Sequence, residues 1–330
     1  MFKLKSKFNT YEIDKVGKRF VGKFKKKSID NLYSGELIVK LKYSSINQKD
    51  YLVTRGLFWG CRNYPLTPGI DGSGVVVLSK SKKFKKGDRV IIVASDVGSK
   101  KPGCYAEYVK IKDFWVNKLP KNLSLKNSMI FGTAGLTAMY IVKQITKRQN
   151  FKKSIIITGA SGGVGLISTY ILSKMGYEVT AVTRKNSKIL YKIGTKKVLS
   201  YSDLKDNYGM PLQRKLFDIC IDNVGGNSIN YILKRLSNQG SLYSVGYVKG
   251  KSLATIDLTP FILRRVRING VHTESLNTKE RFKIWKFITK FIQSYGIKKN
   301  IYKEIKINRL KESLKNFIKI NKKGRILIKI

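Results

Sequence analysis

Ile155-Ile156-Ile157-Thr158 runs without a break into Gly159-Ala160-Ser161-Gly162-Gly163-Val164-Gly165 and then into an apolar stretch ending near Met175. No other segment restricts the fold as tightly. The spacing is G-x-G-x-x-G with Ala160 in the first glycine place, followed by Gly162 and Gly165. A buried strand, a tight turn and a helix are what such spacing predicts. Each small residue has a physical task. At Gly162 the backbone can approach a pyrophosphate. At Gly165 the helix can close onto the strand. The helix start presents free N–H groups and a positive dipole end to phosphate.

The context repeats the pattern. Apolar runs recur at Ser154–Thr158, Glu178–Thr183, Lys197–Tyr201, Phe217–Val224 and Gly240–Gly246, with a sixth at Val266–Val271. Helical patterns lie between most of them, as in Leu166–Met175 and Ser228–Leu236. This predicts an α/β chain with a doubly wound parallel sheet. Upstream, residues 1–120 read mainly as strands, among them Glu36–Tyr43, Gly74–Leu78, Asp88–Val93 and Ala106–Ile111. Pro65 and Pro68, followed by Gly69-Ile70-Asp71-Gly72, mark a tight loop. A helical stretch begins at Ser124, and an amphipathic helix is predicted over Thr278–Tyr295. The last apolar strand, Arg325–Ile330, resembles the N-terminal kind and is expected to return to that domain. The 330 residues, 42% of them apolar, suffice for two cores.

The second strand of the α/β half ends at Val182-Thr183-Arg184-Lys185. A site for NADH would carry Asp or Glu there to bind the ribose hydroxyls. A hydroxyl and two cations suit a 2′-phosphate instead, with Arg184 forking onto it and Lys185 adding charge. NADP(H) is therefore the expected cofactor.

Charge is the other conspicuous property: 67 Lys+Arg stand against 20 Asp+Glu, a formal +47. Nucleic acid or an anionic membrane is one reading. The lysines are spread over almost every block, however. Ile, Asn, Tyr and Phe, which share AT-rich codons with Lys, are also abundant. That favours composition over a polyanion partner, although a positive field would still attract phosphorylated ligands. Met129 to Val142 is too short to span a bilayer, and Met1–Phe8 lacks the apolar core of a signal peptide. A cytoplasmic protein with no membrane partner is expected. Cys61, Cys104 and Cys220 are odd in number and scattered, and His272 is the single histidine. Neither a zinc site nor a Ser-His-Asp hydrolase is expected from that set. The chemistry is then left to a nicotinamide.

With these residues in view, the chain resembles the zinc-free branch of the medium-chain dehydrogenases/reductases. Within it, the likeness is to the bacterial acrylyl-CoA reductase (YhdH/AcuI-like) quinone oxidoreductase family. The resemblance rests on Ser44-Ser45-Ile46-Asn47-Gln48-Lys49-Asp50, Pro68-Gly69-Ile70-Asp71, Gly132-Thr133-Ala134-Gly135-Leu136-Thr137-Ala138-Met139, Thr158–Gly165 and Pro260-Phe261-Ile262-Leu263-Arg264. Zinc-dependent relatives have Cys where Asn47 stands and Gly-His-Glu where Gly69-Ile70-Asp71 stands. The resemblance implies a GroES-like domain (1–122 with 295–330), a Rossmann domain (123–294), the cofactor in the cleft between them, and a homodimer. By similarity, Ser161, Gly162, Gly163 and Val164 hold the pyrophosphate, and Thr183, Arg184 and Lys185 the phosphorylated ribose. Gln48, Asn223 and Ile268 contact the cofactor.

Several roles stay open on sequence. Asn47 either orients substrate, the catalytic reading, or holds a loop. Asp50 caps a helix or acts in catalysis. Arg264 binds an acyl-CoA phosphate or carboxylate, or forms a structural ion pair. Thr133 and Thr137 contact the nicotinamide amide or bond back to their helix. The expected activity is NADPH-dependent reduction of an acrylyl-CoA-like enoyl thioester. The alternatives are a quinone or enone reductase, and a basic NADPH-binding protein that associates with RNA.

Overall fold

The computed structural model describes residues 7–29, 33–147, 154–184, 188–204, 209–246, 253–317 and 324–330. They form two compact units, 1–136 with 273–330 and 137–272.

In chain order the first unit opens with β1 (Lys7–Val16) and β2 (Arg19–Ser28), an antiparallel pair. There follow β3 (Glu36–Ile46), α1 (Gln48–Thr54), β4 (Gly72–Ser79), β5 (Arg89–Ile92), β6 (Tyr108–Lys112) and β7 (Val116–Lys118). The helix α2 (Leu125–Lys147) then begins in this unit and ends in the next. It is broken at Gly132, whose φ of 52° only glycine adopts at little cost.

The second unit holds β8 (Ser154–Ile157), α3 (Gly163–Lys174), β9 (Glu178–Val182), α4 (Lys188–Lys192), β10 (Lys197–Leu199), β11 (Phe217–Asp222), α5 (Ser228–Leu233), β12 (Leu236–Ser244), α6 (Thr259–Arg264) and β13 (Arg267–Gly270). Its six strands are parallel in the order β10-β9-β8-β11-β12-β13. The order reverses direction around β8, which places the glycine-rich turn at the topological switch point. β8 is bare Ile155-Ile156-Ile157 because it is covered on both faces.

The chain then returns to the first unit with α7 (Thr278–Tyr295), β14 (Tyr302–Lys306), α8 (Leu310–Lys315) and β15 (Arg325–Lys329). The larger sheet there runs β14-β15-β3-β4-β5-β7, with β6 also on β3. β15 is antiparallel to β3, so the C-terminal strand does come back beside the N-terminal ones. One core, around Leu37, Val39, Leu41, Val90 and Val116, lies on the β3–β5 side of this sheet. Another joins Tyr11 and Ile13 to Ile326 and Ile328.

Some sequence expectations change. The unit boundaries are not at 122/123 and 294/295. α7 belongs to the β-rich unit, because Arg281 donates to the carbonyls of Ala94 (3.0 Å) and Phe114 (2.8 Å). Its amphipathic pattern showed a buried face without showing which unit covers it. The run Lys197–Tyr201 is a strand only to Leu199, and Tyr201 starts a 3₁₀ turn. The helix Ser228–Leu236 stops at Leu233, and Leu236 already belongs to β12. The run Val266–Val271 is a strand only over Arg267–Gly270, and the single histidine, His272, lies beyond it and is exposed.

Candidate cofactor site and a buried polar network

The glycine turn is fastened at several points. Gly159 has φ of 59°, and the Ala160 N–H donates to the Val182 carbonyl at 3.1 Å. Gly162 is the N-cap of α3, with its N–H on the Gly159 carbonyl at 2.8 Å. Gly163 and Val164 open the helix, so their N–H groups have no intrahelical carbonyl to reach. A Cβ at Gly165 would strike the Gly159 carbonyl oxygen and come within 2.8 Å of the Ala160 Cα. That contact is the close packing the motif requires.

Ser161 and Thr183 are brought together, their hydroxyl oxygens 3.0 Å apart. Thr183 is buried and Arg184, next to it, is exposed at the end of β9. Lys185 lies outside the described residues. Asn223 follows β11 and donates from Nδ2 to the Thr158 carbonyl at 2.9 Å. Its backbone N–H donates to the Thr158 hydroxyl at 3.0 Å. The Asn223 Oδ1 is buried and takes no hydrogen bond from the described residues. A buried acceptor without a donor is costly, so a ligand N–H or O–H fits there. Ile268 sits on β13 opposite Leu242, separated from β8 by β11 and β12, and is 43% exposed.

Two residues here were not anticipated. The Tyr201 hydroxyl accepts the Gly159 N–H at 2.9 Å. Asp222 is fully buried and accepts from the Thr158 hydroxyl (2.5 Å) and the Gly225 N–H (2.9 Å). Burial raises its carboxyl above the usual range against those bonds. An acid ending an apolar strand was a readable signal for Asp222. Tyr201 had none, since only the fold brings it to the turn.

In the β-rich unit, Asn47 is the N-cap of α1 and Gln48, exposed, is its first residue. The Asn47 amide is engaged at both ends. Nδ2 donates to Asp71 at 2.8 Å and to Asp50 at 3.3 Å, and Oδ1 accepts from Arg325 at 2.9 Å. Asp71 also accepts from the Ser45 hydroxyl (2.6 Å), the Thr133 hydroxyl (2.5 Å) and the Thr133 N–H (3.1 Å). The Arg325 guanidinium is 3.5 Å from Asp71 and donates to Ser45 and to the carbonyls of Ile46 and Ile130. Gly132 is needed here, because a Cβ would collide with Asp71.

Asp50 takes the N–H of Asn47 (2.8 Å) and of Ile70 (2.9 Å), the helix-capping role. Burial first, and then the charge of Asp71, push its carboxyl up to about 6. Arg264 donates to the carbonyls of Lys234, Leu236 and Gln213, so backbone oxygens hold it rather than a carboxylate.

Zinc does not fit the network. Where zinc-dependent relatives have Cys and Gly-His-Glu, this chain has Asn47 and Gly69-Ile70-Asp71: Ile70 offers no metal donor, and Asn47 and Asp71 are both engaged by the Arg325 guanidinium. A cation is already seated among them. No group of three His, Cys, Asp or Glu gathers elsewhere among the described residues. No helix among them is long and apolar enough to cross a membrane.

A six-stranded parallel sheet with a glycine-rich turn at its switch point, in a chain that also carries a GroES-like β unit, defines a two-unit dinucleotide-dependent oxidoreductase. Residues 33–121 match the alcohol dehydrogenase GroES-like domain and residues 163–290 the domain described as zinc-binding dehydrogenase. The Escherichia coli (strain K12) protein named probable acrylyl-CoA reductase AcuI is 31% identical over 91% of this chain and 92% of its own. The Bacillus subtilis (strain 168) putative quinone oxidoreductase YhfP is 32% identical over 92% and 93%. Its structure with NAD bound superposes with a TM-score of 0.90 at 29% identity, covering 99% and 100%. The Salmonella enterica yhdH oxidoreductase, in complex with NADP, gives 0.88 at 29% identity, covering 98% and 99%. The chain belongs to the medium-chain dehydrogenase/reductase family, in the branch that includes acrylyl-CoA reductases and quinone oxidoreductases.

Proposed function

We propose that the chain is an NADPH-dependent, metal-free reductase of an activated alkene, with an acrylyl-CoA-like enoyl thioester as acceptor. The observation that carries the cofactor choice is Arg184 beside Thr183 at the end of β9, with no carboxylate at that strand end. Ser161 and the N–H groups of Gly163 and Val164 hold the pyrophosphate. Thr183 and Arg184 hold the 2′-phosphate, joined by Lys185. The Asn223 Oδ1 accepts a hydrogen bond from the cofactor, and Gln48 and Ile268 are further contacts.

Bound NADPH supplies the hydride for the β-carbon of the acceptor. The chain's own part is to bind and orient. Both Asn47 Nδ2 protons are engaged, so Asn47 is assigned to positioning α1 rather than to donating to a substrate oxygen. A backbone N–H or the cofactor ribose is the donor to the thioester oxygen, and water protonates the α-carbon.

Arg184→Ala should weaken NADPH binding about 10- to 100-fold, the worth of a charge-assisted hydrogen bond, and leave NADH binding within twofold. Fluorescence titration with both cofactors measures this; equal losses for the two would remove Arg184 from the phosphate. Turnover of acrylyl-CoA, crotonyl-CoA and quinones should rank the thioesters first, and quinones ranking first would transfer the assignment to quinone reduction.

A homodimer completes the reading. Leu258, Ile262 and Leu263 on and before α6 are 64%, 73% and 65% exposed, and β13, the strand that follows, is the edge of its sheet among the described residues. Such a patch and a free edge suit a second copy. Ile262→Asp should convert a dimer into a monomer in sedimentation analysis, and an unchanged mass would move the contact elsewhere.

A further inference from the structure

Every polar group of Thr158 goes to three consecutive residues at the end of β11. Its N–H donates to the Ile221 carbonyl (3.0 Å), and its hydroxyl donates to the Asp222 carboxylate (2.5 Å). The same hydroxyl accepts the Asn223 N–H (3.0 Å), and the Thr158 carbonyl accepts from Asn223 Nδ2 (2.9 Å). Thr158 and Asp222 are both fully buried. The ladder between β8 and β11 ends at Ile157 and Ile221, so these bonds carry the pairing past the strands and into the two turns. The turns also touch. A Cβ on Gly159 would come 3.0 Å from Val224 Cγ2 and 3.3 Å from the Asn223 Cβ.

Asp222 gives the arrangement its direction. An ionised carboxylate accepts and cannot donate, so the Thr158 proton points at it and the Thr158 lone pairs are left for the Asn223 N–H. The second carboxylate oxygen takes the Gly225 N–H at 2.9 Å, and the Asp222 carbonyl takes the Val245 N–H at 2.8 Å. Hydrogen bonds hold this acid, with no lysine or arginine of the described residues paired to it. A buried carboxylate without a cation is costly, and what it does here is fix its neighbours. Asn223 is thereby held at two points by one residue. With Nδ2 given to a carbonyl the amide cannot turn over. The atom left is Oδ1, buried and without a donor among the described residues.

We propose that Thr158 and Asp222 are positioning residues for the dinucleotide: they latch the loop after β11 to the glycine-rich turn, so that Asn223 meets the cofactor only with its amide oxygen. The partner of that oxygen is a donor of the cofactor, a ribose hydroxyl or an amide N–H. This rests on the cofactor site proposed above and adds the pair that orients one of its contacts. Neither Thr158 nor Asp222 need touch the cofactor to do so.

The test is a double-mutant cycle read by NADPH binding in a fluorescence titration, which requires no turnover. Asn223→Ala and Thr158→Val should each raise the Kd about 10-fold. Thr158→Ser, which keeps the hydroxyl, should stay within about twofold of the parent. In the Asn223→Ala background, Thr158→Val should add less than about twofold, because a residue that acts through Asn223 has nothing left to orient. Equal losses in both backgrounds overturn the proposal, as does a Thr158→Val variant that binds NADPH like the parent. Where Thr158→Val does not fold, Asp222→Asn replaces it. That variant has one accepting oxygen for two donors, and the same non-additive pattern is expected. If the parent binds no NADPH, the cofactor reading fails, and the latch is decided by hydrogen exchange in the free protein. Residues 159–165 and 222–226 should then exchange about 10-fold faster in Thr158→Val than in the parent, with Thr158→Ser like the parent. Unchanged exchange in either segment overturns the latch.

Discussion

Arg325→Met should destabilise the protein by about 3–5 kcal/mol, the range for removing one partner of a buried pair. Arg325 is 3% exposed and Asp71 fully buried. In the parent, the guanidinium serves the Asn47 amide, the Ser45 hydroxyl, two carbonyls and the Asp71 carboxylate. Methionine fills much of the volume and supplies no donor. Asp71 and Asp50 are then left buried with no cation in their network, and two carbonyls lose donors. Urea unfolding gives the value, and a cycle with Asp71→Asn should show a coupling of about 1–3 kcal/mol. A loss below about 1 kcal/mol would mean that water or rearrangement replaces the guanidinium.

The second large effect is a pH dependence, and it comes from the same network. Two carboxylates share one guanidinium, so one of them holds its proton more tightly than in water. Asp50 is that group, pushed up to about 6 from 3.8 by burial and by the charge of Asp71. A raised carboxyl means that the folded state binds more protons than the unfolded chain between those values. Stability is then lost as pH rises from about 4 to about 6 and stays low above it. The full difference is about 3 kcal/mol at 1.36 kcal/mol per pH unit. Glu12, Glu36 and Asp88, held below the usual carboxylate range by lysines and backbone N–H groups against their own desolvation, act in the opposite sense. Comparison with Asp50→Asn isolates the effect. That variant keeps one accepting oxygen, so either the Asn47 or the Ile70 N–H loses its partner at every pH, a constant cost. The pH-dependent part should favour it, relative to the parent, by about 3 kcal/mol on going from pH 4 to pH 7. A stability difference flat across that range would show that the Asp50 carboxylate is not desolvated.

Both effects concern residues that sequence reading weighed differently. Asn47 and Asp71 were noticed because zinc-dependent relatives have metal ligands there. Arg325 was legible only as the first residue of the last strand, and what it pairs with was not visible. The sequence distance from Asp71 to Arg325 is closed only by β15 lying against β3. For Asn47 the orienting and loop-holding readings were equally open. The amide's engagement by Asp50, Asp71 and Arg325 is what favours positioning. Arg264 followed the same course: its sequence offered an anion or an ion pair, and the fold supplied three carbonyls.

The glycine-rich segment behaved otherwise. Ile155–Gly165 announced its strand, its turn and its helix, because each is set by neighbours within a few residues: apolar runs, small residues and a helix start. The parallel sheet was legible for the same reason, through runs recurring at regular spacing. Local signals do not say which distant surface covers an amphipathic helix. α7 therefore went to the wrong unit on sequence and to Ala94 and Phe114 in the structure. They do not show that Tyr201 reaches the Gly159 N–H, or that the Asn223 Oδ1 is left without a donor. The sequence by itself determined the nucleotide-binding architecture and the cationic strand end at Arg184, since those are properties of short segments. The tertiary structure decided which polar groups neutralise one another. Burial and distance, which set the strength of a charge pair, arise only when remote strands meet.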